Sequence, residues 1–165
     1  MFIELENLFN GGVTNIPLDC EFDFSPEKID GVFPFTAPVK LKGKIENVAE
    51  LVSIKAVASV HMDVLCSRCA EDFAMDFEVK IEHGLVQALN NVQDSDEYIV
   101  VEDMKLDLKA LTLEDIYFAL PSKFLCSEDC KGLCSKCGAN LNVSLCSCKK
   151  DIDPRFEVLL GLMDE

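Results

Sequence analysis

Eight of the nine cysteines in this 165-residue sequence fall into four close pairs. The pairs are Cys66 and Cys69, Cys126 and Cys130, Cys134 and Cys137, and Cys146 and Cys148. A structural zinc ion takes four ligands, with thiolate sulfurs at about 2.3 Å, and a short spacer lets one backbone turn supply two of them. The spacing therefore predicts metal coordination, with zinc as the cofactor.

The last four paired cysteines form the more compact candidate site: Cys134, Cys137, Cys146 and Cys148. Gly138 directly follows the second of them and can adopt the positive φ that aims backbone N–H groups at thiolate sulfurs. A second candidate site comprises Cys66, Cys69, Cys126 and Cys130, whose two halves lie far apart in the sequence. Spacing alone leaves open how the eight thiols pair, and whether the chain binds one zinc or two.

These sites are predicted to be structural. A set of four thiolates leaves no open coordination position for a catalytic water. His61 and His83 are the only histidines, and both are expected at exposed positions. The ninth cysteine, Cys20, shares strand parity with apolar neighbours and is predicted to be a small core residue.

A thiol redox role is the alternative interpretation of a Cys-x-x-Cys motif. In thioredoxin-like proteins that motif begins a helix within a βαβ unit. Here Cys66 and Cys69 lie at a predicted hairpin tip instead. The sequence also lacks a phosphate-binding loop, a dinucleotide fingerprint and a nucleophile elbow. No catalytic residue is predicted, and the chain is expected not to be an enzyme.

Strand patterns dominate the first two thirds of the chain. Apolar residues alternate with polar ones from Val52 to Val64, and again from Phe73 to Ile81. Alternation with a period of two is typical of strands with one face in water. The two segments flank Cys66 and Cys69, which predicts a long hairpin with that pair at its tip.

Helix signals follow the strands. Asp107 is a suitable N-cap for a helix over about 108–120, which Pro121 ends. Asp153 followed by Pro154 is a suitable start for a short C-terminal helix.

The predicted fold class is α+β: an antiparallel β meander or partial barrel with a long hairpin, one middle helix, and a cysteine-rich zinc-knuckle tail. Residues 1–120 are expected to form the antiparallel β domain, including the helix at about 108–120. Residues 121–165 are expected to form the zinc-binding tail, closed by the short C-terminal helix and packed on the first region.

The charge is strongly negative and unevenly distributed. The chain carries 15 basic and 30 acidic residues, a net charge of −15. Residues 1–120 contribute −14 of this, whereas residues 121–155 have 6 basic against 4 acidic groups. An acidic body opposes non-specific attraction to phosphate and favours basic protein partners. The basic residues of the tail are candidates for contact with RNA or a partner: Lys131, Lys136, Lys149, Lys150 and Arg155. Alternatively, these residues only offset thiolate charge.

Neither a membrane span nor a secretory signal is predicted. No run approaches the roughly 20 apolar residues that a spanning helix needs. The first residues lack the basic and apolar regions of a signal peptide. The expected location is the cytoplasm.

The run from Cys126 to Asn142, followed by Cys146-Ser-Cys148 and Asp153-Pro154-Arg155, resembles the YceD family of large ribosomal RNA subunit accumulation proteins. The Cys66-x-Arg68-Cys69 turn also fits this family, as does the order of a β region before a cysteine tail. The resemblance implies a non-enzymatic role in 23S rRNA accumulation or processing during large-subunit assembly. It implies a large-subunit precursor as partner. The acidic charge suggests that the chain contacts this precursor through a basic ribosomal protein. Direct contact between the tail lysines and RNA is then at most local. The alternatives are a zinc-stabilised protein-binding module unrelated to ribosomes, and a thiol redox protein.

Overall fold

The computed structural model describes residues 1–29, 31–88 and 98–148, and the chain divides into two compact units. The first unit comprises residues 1–64 and 72–122. The second comprises residues 65–71 and 123–165, of which the structure describes those up to 148. All eight paired cysteines therefore belong to the second unit.

The first unit is built mainly of β-strands. Its elements in chain order are β1 (Phe2–Glu4), α1 (Glu6–Phe9), β2 (Asn15–Phe22), β3 (Val39–Val48), β4 (Leu51–Leu65, of which Leu65 is assigned to the second unit), β5 (Asp72–Val86), β6 (Tyr98–Val100), a 3-10 helix (Glu102–Met104), β7 (Lys105–Asp107) and α2 (Leu108–Ala119). Five strands form one sheet in the order β2-β3-β4-β5-β6, and β1 pairs with β7 in a second, two-stranded sheet.

The predicted long hairpin is confirmed as β4 and β5, which are adjacent strands of 15 residues each. Buried and more exposed residues alternate along almost the whole of β4, so one face of the strand packs into the core. Ile54 and Met62 on β4 and Ile81 on β5 are fully buried, as are Leu41 and Ile45 on β3. The core of this unit therefore forms on one face of the sheet.

The predicted middle helix is confirmed as α2. The Oδ1 atom of Asp107 accepts hydrogen bonds from the backbone N–H groups of Lys109 at 3.1 Å and Ala110 at 3.3 Å. This is the capping interaction that the sequence predicted. Leu120 leaves the helical conformation directly before Pro121, because a residue that precedes proline disfavours helical angles.

One part of the predicted topology is wrong: the sheet is not antiparallel throughout. Strand β6 pairs in parallel with β5, with Tyr98 opposite Gly84 and Val100 opposite Val86. Alternation has the same period in either strand direction, so the pattern could not distinguish the two. The short helix α1 was also missed, because its four residues are too few to show a helical period. The predicted C-terminal helix lies outside the described residues.

The two histidines are less exposed than predicted, and Cys20 is less buried than predicted. His83 on β5 is only 28% exposed, and its Nε2 atom lies 2.8 Å from Oδ2 of Asp115 on α2. His61 is partly exposed, and its hydrogen bond with Asp76 raises the pKa of the imidazole. Cys20 is half-buried on β2 rather than fully in the core.

No helix among the described residues has the length and apolar character needed to cross a membrane.

Gly43 on β3 provides a test of sheet packing. A Cβ atom at this position would lie 2.3 Å from the carbonyl oxygen of Lys55 and 2.4 Å from Cα of Ala56, both on β4. We expect Gly43→Ala to lower the free energy of unfolding by about 2 kcal/mol, because backbone atoms must move apart. Urea unfolding followed by far-UV circular dichroism measures this. Gly12→Ala is the matched control, since its Cβ would lie 3.4 Å from the nearest atom; equal losses in both variants would contradict the prediction.

Candidate metal centres

The first cysteine pair lies in a tight turn after β4. The N–H of Ala70 donates to the carbonyl of Cys66 at 2.9 Å, and the N–H of Cys66 donates to the carbonyl of Glu71 at 2.9 Å. Ala70 has a positive φ of 57°, which closes the turn. These bonds hold Cys66 and Cys69, both buried, within one backbone loop.

The segment with Cys126 and Cys130 is bound to this turn by several hydrogen bonds. The N–H of Ser67 donates to the carbonyl of Phe124 at 2.7 Å. The Nη1 atom of Arg68 donates to the carbonyls of Glu128 and Cys130, at 3.0 Å each. Arg68 therefore joins two stretches of chain that are about 60 residues apart.

Together these segments form a group of four sulfurs that we call the hairpin cluster: Cys66, Cys69, Cys126 and Cys130. The Sγ atoms of Cys66 and Cys130 lie 3.8 Å apart, and those of Cys69 and Cys126 lie 3.7 Å apart. All four sulfurs lie within 4.8 Å of one another. Three of the four residues are buried, and Cys126 is exposed.

The remaining four paired cysteines form a second group, which we call the knuckle cluster: Cys134, Cys137, Cys146 and Cys148. Their sulfurs also lie within 4.8 Å of one another. The N–H of Gly138 donates to the carbonyl of Cys134 at 2.9 Å, and Gly138 has a φ of +70°. This is the positive φ that the sequence predicted for that glycine. Every member of this cluster is at least partly exposed.

Each cluster contains a thiol that ionises readily beside one that does not. The backbone N–H of Cys126 points at Sγ of Cys66 and lowers the pKa of that thiol to about 6. The backbone N–H groups of Cys137 and Lys136 lower the pKa of Cys134 to about 6. Hydrogen bonds between neighbouring thiols, of Cys126 with Cys130 and of Cys148 with Cys137, raise the pKa values of Cys126 and Cys148 to about 12, and burial and repulsion by the neighbouring thiolate add to the rise. A bound divalent cation would remove that repulsion.

Both clusters fit the geometry of a metal ion. Four sulfurs bound tetrahedrally at about 2.3 Å lie about 3.8 Å from one another, which agrees with the 3.7 and 3.8 Å separations in the hairpin cluster. A disulfide, by contrast, needs sulfurs about 2.05 Å apart, and all nine cysteines are free thiols. Oxygen-preferring ions such as magnesium and calcium are disfavoured by an all-sulfur site. The two clusters can therefore hold one metal ion each.

The structure describes only two of the five basic tail residues that the sequence indicated as contacts. Lys131 and Lys136 are exposed, whereas Lys149, Lys150 and Arg155 lie outside the described residues. Sequence reasoning missed the supporting roles of Arg68 and Asn142, whose side chains bond to the hairpin cluster or its backbone. Asparagine is common in turns, but residue spacing does not specify which sulfur such a side chain reaches.

A mainly β unit followed by a unit with two four-sulfur clusters defines a cysteine-rich protein able to bind metal. Residues 53–163 match the family described as large ribosomal RNA subunit accumulation protein YceD. The chain belongs to the YceD family, which confirms the resemblance seen in the sequence.

Several bacterial proteins are similar to this chain. The uncharacterized protein YlbN of Bacillus subtilis (strain 168) is 28% identical over 153 residues, which cover 88% of each chain. The uncharacterized protein Rv2926c of Mycobacterium tuberculosis (strain ATCC 25618 / H37Rv) is 25% identical over 123 residues, 73% of this chain and 59% of that protein. The chain thus spans about three fifths of this mycobacterial relative. No solved structure matches.

Proposed function

We propose that this protein is a non-enzymatic, cytoplasmic factor that supports the accumulation and processing of 23S rRNA during assembly of the large ribosomal subunit. The observation that carries the proposal is the family match, which covers residues 53–163 and includes all eight clustered cysteines. The described residues support a binding role, since both candidate metal centres are all-thiolate and a complete set of four thiolates has no position for a catalytic water.

We further propose that zinc ions brace the second unit. Within its described residues, the only buried apolar side chains are three cysteines: Cys66, Cys69 and Cys130. Val143 and Leu145 are 82% and 89% exposed. Without a hydrophobic core, so small a unit needs another source of stability, and metal ligation is the one that its residues offer. The ligands are the hairpin and knuckle clusters.

Charge supports a protein partner more than bare RNA. The first unit carries 8 basic and 22 acidic residues, and the second carries 7 basic and 8 acidic. The first unit is therefore repelled by phosphate and attracted to basic surfaces. Ribosomal proteins carry such basic surfaces, so this protein contacts the large-subunit precursor by binding one of them. Lys131, Lys136, Lys149, Lys150 and Arg155 touch RNA only locally.

The proposal is tested in a deletion strain and on sucrose gradients. We expect the ratio of 23S to 16S rRNA to fall on deletion, and a tagged copy to sediment with large-subunit precursors. The association should weaken as salt rises, because the contact is between opposite charges. An unchanged rRNA ratio together with no co-sedimentation would refute the ribosomal role. Tight, salt-resistant binding to protein-free rRNA would refute only the route through a basic protein.

The tail lysines are tested separately. If Lys131 and Lys136 touch RNA in the precursor, Lys131→Ala with Lys136→Ala weakens co-sedimentation while the zinc content stays unchanged. Lys40→Ala with Lys42→Ala, on exposed positions of β3, is the matched control for the loss of two positive charges. Equal effects of the two double variants would indicate that only the net charge matters.

A further inference from the structure

Asn142 makes contacts on both sides of its side-chain amide. The Oδ1 atom accepts a hydrogen bond from the backbone N–H of Lys131 at 2.8 Å. The Nδ2 atom donates to Sγ of Cys130, in the hairpin cluster, at 3.3 Å. Because a backbone N–H can only donate, the oxygen must face Lys131, and the amide nitrogen must then face the sulfur. The orientation of the amide is therefore fixed by its partners.

The position of Asn142 depends in turn on the loop that carries half of the knuckle cluster. Leu133 bridges to Asn140, and the N–H of Leu141 donates to the carbonyl of Gly132 at 2.9 Å. The N–H of Asn142 donates to Oδ1 of Asn140 at 3.0 Å. Residues 131–142 thus form a closed loop, with Cys134 and Cys137 between its two paired ends.

A second set of bonds joins this loop to the hairpin turn. The N–H of Leu133 donates to the carbonyl of Arg68 at 3.0 Å, and Nδ2 of Asn140 donates to Oε1 of Glu71 at 3.2 Å. Gly132 has a φ of +74°, and a Cβ there would lie 3.0 Å from the carbonyl oxygen of Arg68. The loop therefore lies directly against the turn that supplies Cys66 and Cys69.

We propose that Asn142 is a positioning residue that couples the two metal centres. A metal in the knuckle cluster holds Cys134 and Cys137, and so orders the loop that ends at Asn142. The ordered loop keeps the amide N–H on the sulfur of Cys130, and the hairpin cluster then holds its metal more tightly. The coupling is reciprocal, because each metal must change the affinity for the other by the same factor.

The size of the effect follows from the role of groups that hydrogen-bond to metal ligands. Loss of such a partner lowers metal affinity by about 10- to 100-fold, because the ligand loses its orientation and part of its charge stabilisation. The inference rests on the metal bracing in the proposed function, and needs neither the ribosome nor RNA.

The first test compares three variants of the full chain by competition between the protein and a zinc chelator. Asn142→Ala is expected to lower the zinc affinity of the hairpin cluster by about 10- to 100-fold. Asn142→Asp keeps the acceptor for Lys131 but turns a carboxylate oxygen toward the thiolate, so its affinity should fall at least as far. If Asn142 only capped Lys131, the Asp variant would keep normal affinity, which would overturn the inference. Asn15→Ala, at an exposed position on β2, is the matched control.

The second test measures the coupling itself. Cys137→Ser with Cys148→Ser disables the knuckle cluster, and cobalt charge-transfer bands then report the hairpin cluster alone. We expect this double variant to weaken binding at the hairpin cluster by at least about fivefold. This loss of affinity should be much smaller when Asn142→Ala is already present, because the hydrogen bond from Asn142 to Sγ of Cys130 is then absent.

Additive losses in that comparison, or unchanged affinity in Asn142→Ala, would overturn the inference and leave the proposed function standing. Protein that binds no zinc at either cluster would overturn both the inference and the zinc bracing. The rRNA ratio in the deletion strain is independent of these measurements.

Discussion

Removal of zinc by a strong chelator is expected to unfold the described part of the second unit and to leave the first unit folded. Metal-binding free energies in small cysteine-rich modules are on the order of 10 kcal/mol and act as folding energy. The second unit has no buried apolar side chains besides its cysteines among the residues described. The first unit has a core of its own, which includes Leu41, Ile54 and Ile116.

Amide hydrogen exchange before and after chelation distinguishes the two units. In the zinc-loaded protein we expect protection at Leu133, Cys134 and Gly138, whose N–H groups donate to backbone carbonyls at 2.8 to 3.0 Å. Chelation should abolish that protection. Amides in the paired strands β3 and β4 should remain protected, because their hydrogen bonds do not depend on metal.

Single substitutions provide the controls for this experiment. Cys69→Ser and Cys137→Ser should each reduce the zinc content from about two per chain to about one, because each removes a ligand from one cluster. Cys20→Ser should leave the zinc content unchanged, since Cys20 belongs to neither group. Metal-free native protein with these amides still protected would contradict the prediction. A disulfide that forms and reduces easily would favour the thiol redox alternative.

Much of the first unit could be predicted because its interactions are local and periodic. The alternation from Val52 to Val64 matches the burial of β4 nearly residue by residue. Asp107 and Pro121 marked both ends of α2, because capping and proline effects act within a few residues of where they occur. These features require no knowledge of distant parts of the chain.

The features that could not be predicted are those that depend on distant contacts. Strand β6 pairs in parallel with β5, and alternation does not record strand direction. The bond between His83 and Asp115 joins β5 to α2 and leaves His83 only partly exposed. Side-chain pairs between distant elements have no characteristic spacing in the sequence.

The candidate metal centres illustrate the same limit. Each close cysteine pair could be predicted from the short span of one turn. Which pairs share a cluster depends on how residues 66–69 meet residues 126–130, nearly 60 positions later. The carbonyl groups that Arg68 binds, at 3.0 Å each, help to join those two segments. The guanidinium has no sequence neighbour that would reveal these partners.

Zinc affinity is expected to rise steeply with pH. In the metal-free protein the pKa values of Cys126 and Cys148 are about 12, and those of Cys69 and Cys146 are also raised. Hydrogen bonding between neighbouring thiols, as with Cys130 for Cys126, keeps these groups protonated at neutral pH. Zinc binds thiolates, so each cluster must release at least two protons when it binds the ion. The bound state carries fewer protons than the free state, and a rise in pH therefore favours it. The affinity of each cluster should increase by at least about 100-fold from pH 7 to pH 8.

Proton release measured by calorimetry in buffers of different ionisation enthalpy tests this prediction directly. Below about pH 6 the slope should steepen, because Cys66 and Cys134, whose pKa values are about 6, then also bind protons. Cys126→Ser removes a ligand, so it should abolish zinc binding at the hairpin cluster, while the knuckle cluster keeps its pH dependence. An affinity that stays constant between pH 7 and pH 8 would mean that all eight thiols are already ionised in the metal-free protein. The close packing of sulfurs within 4.8 Å of one another makes that state costly, because adjacent thiolates repel one another unless a cation lies between them.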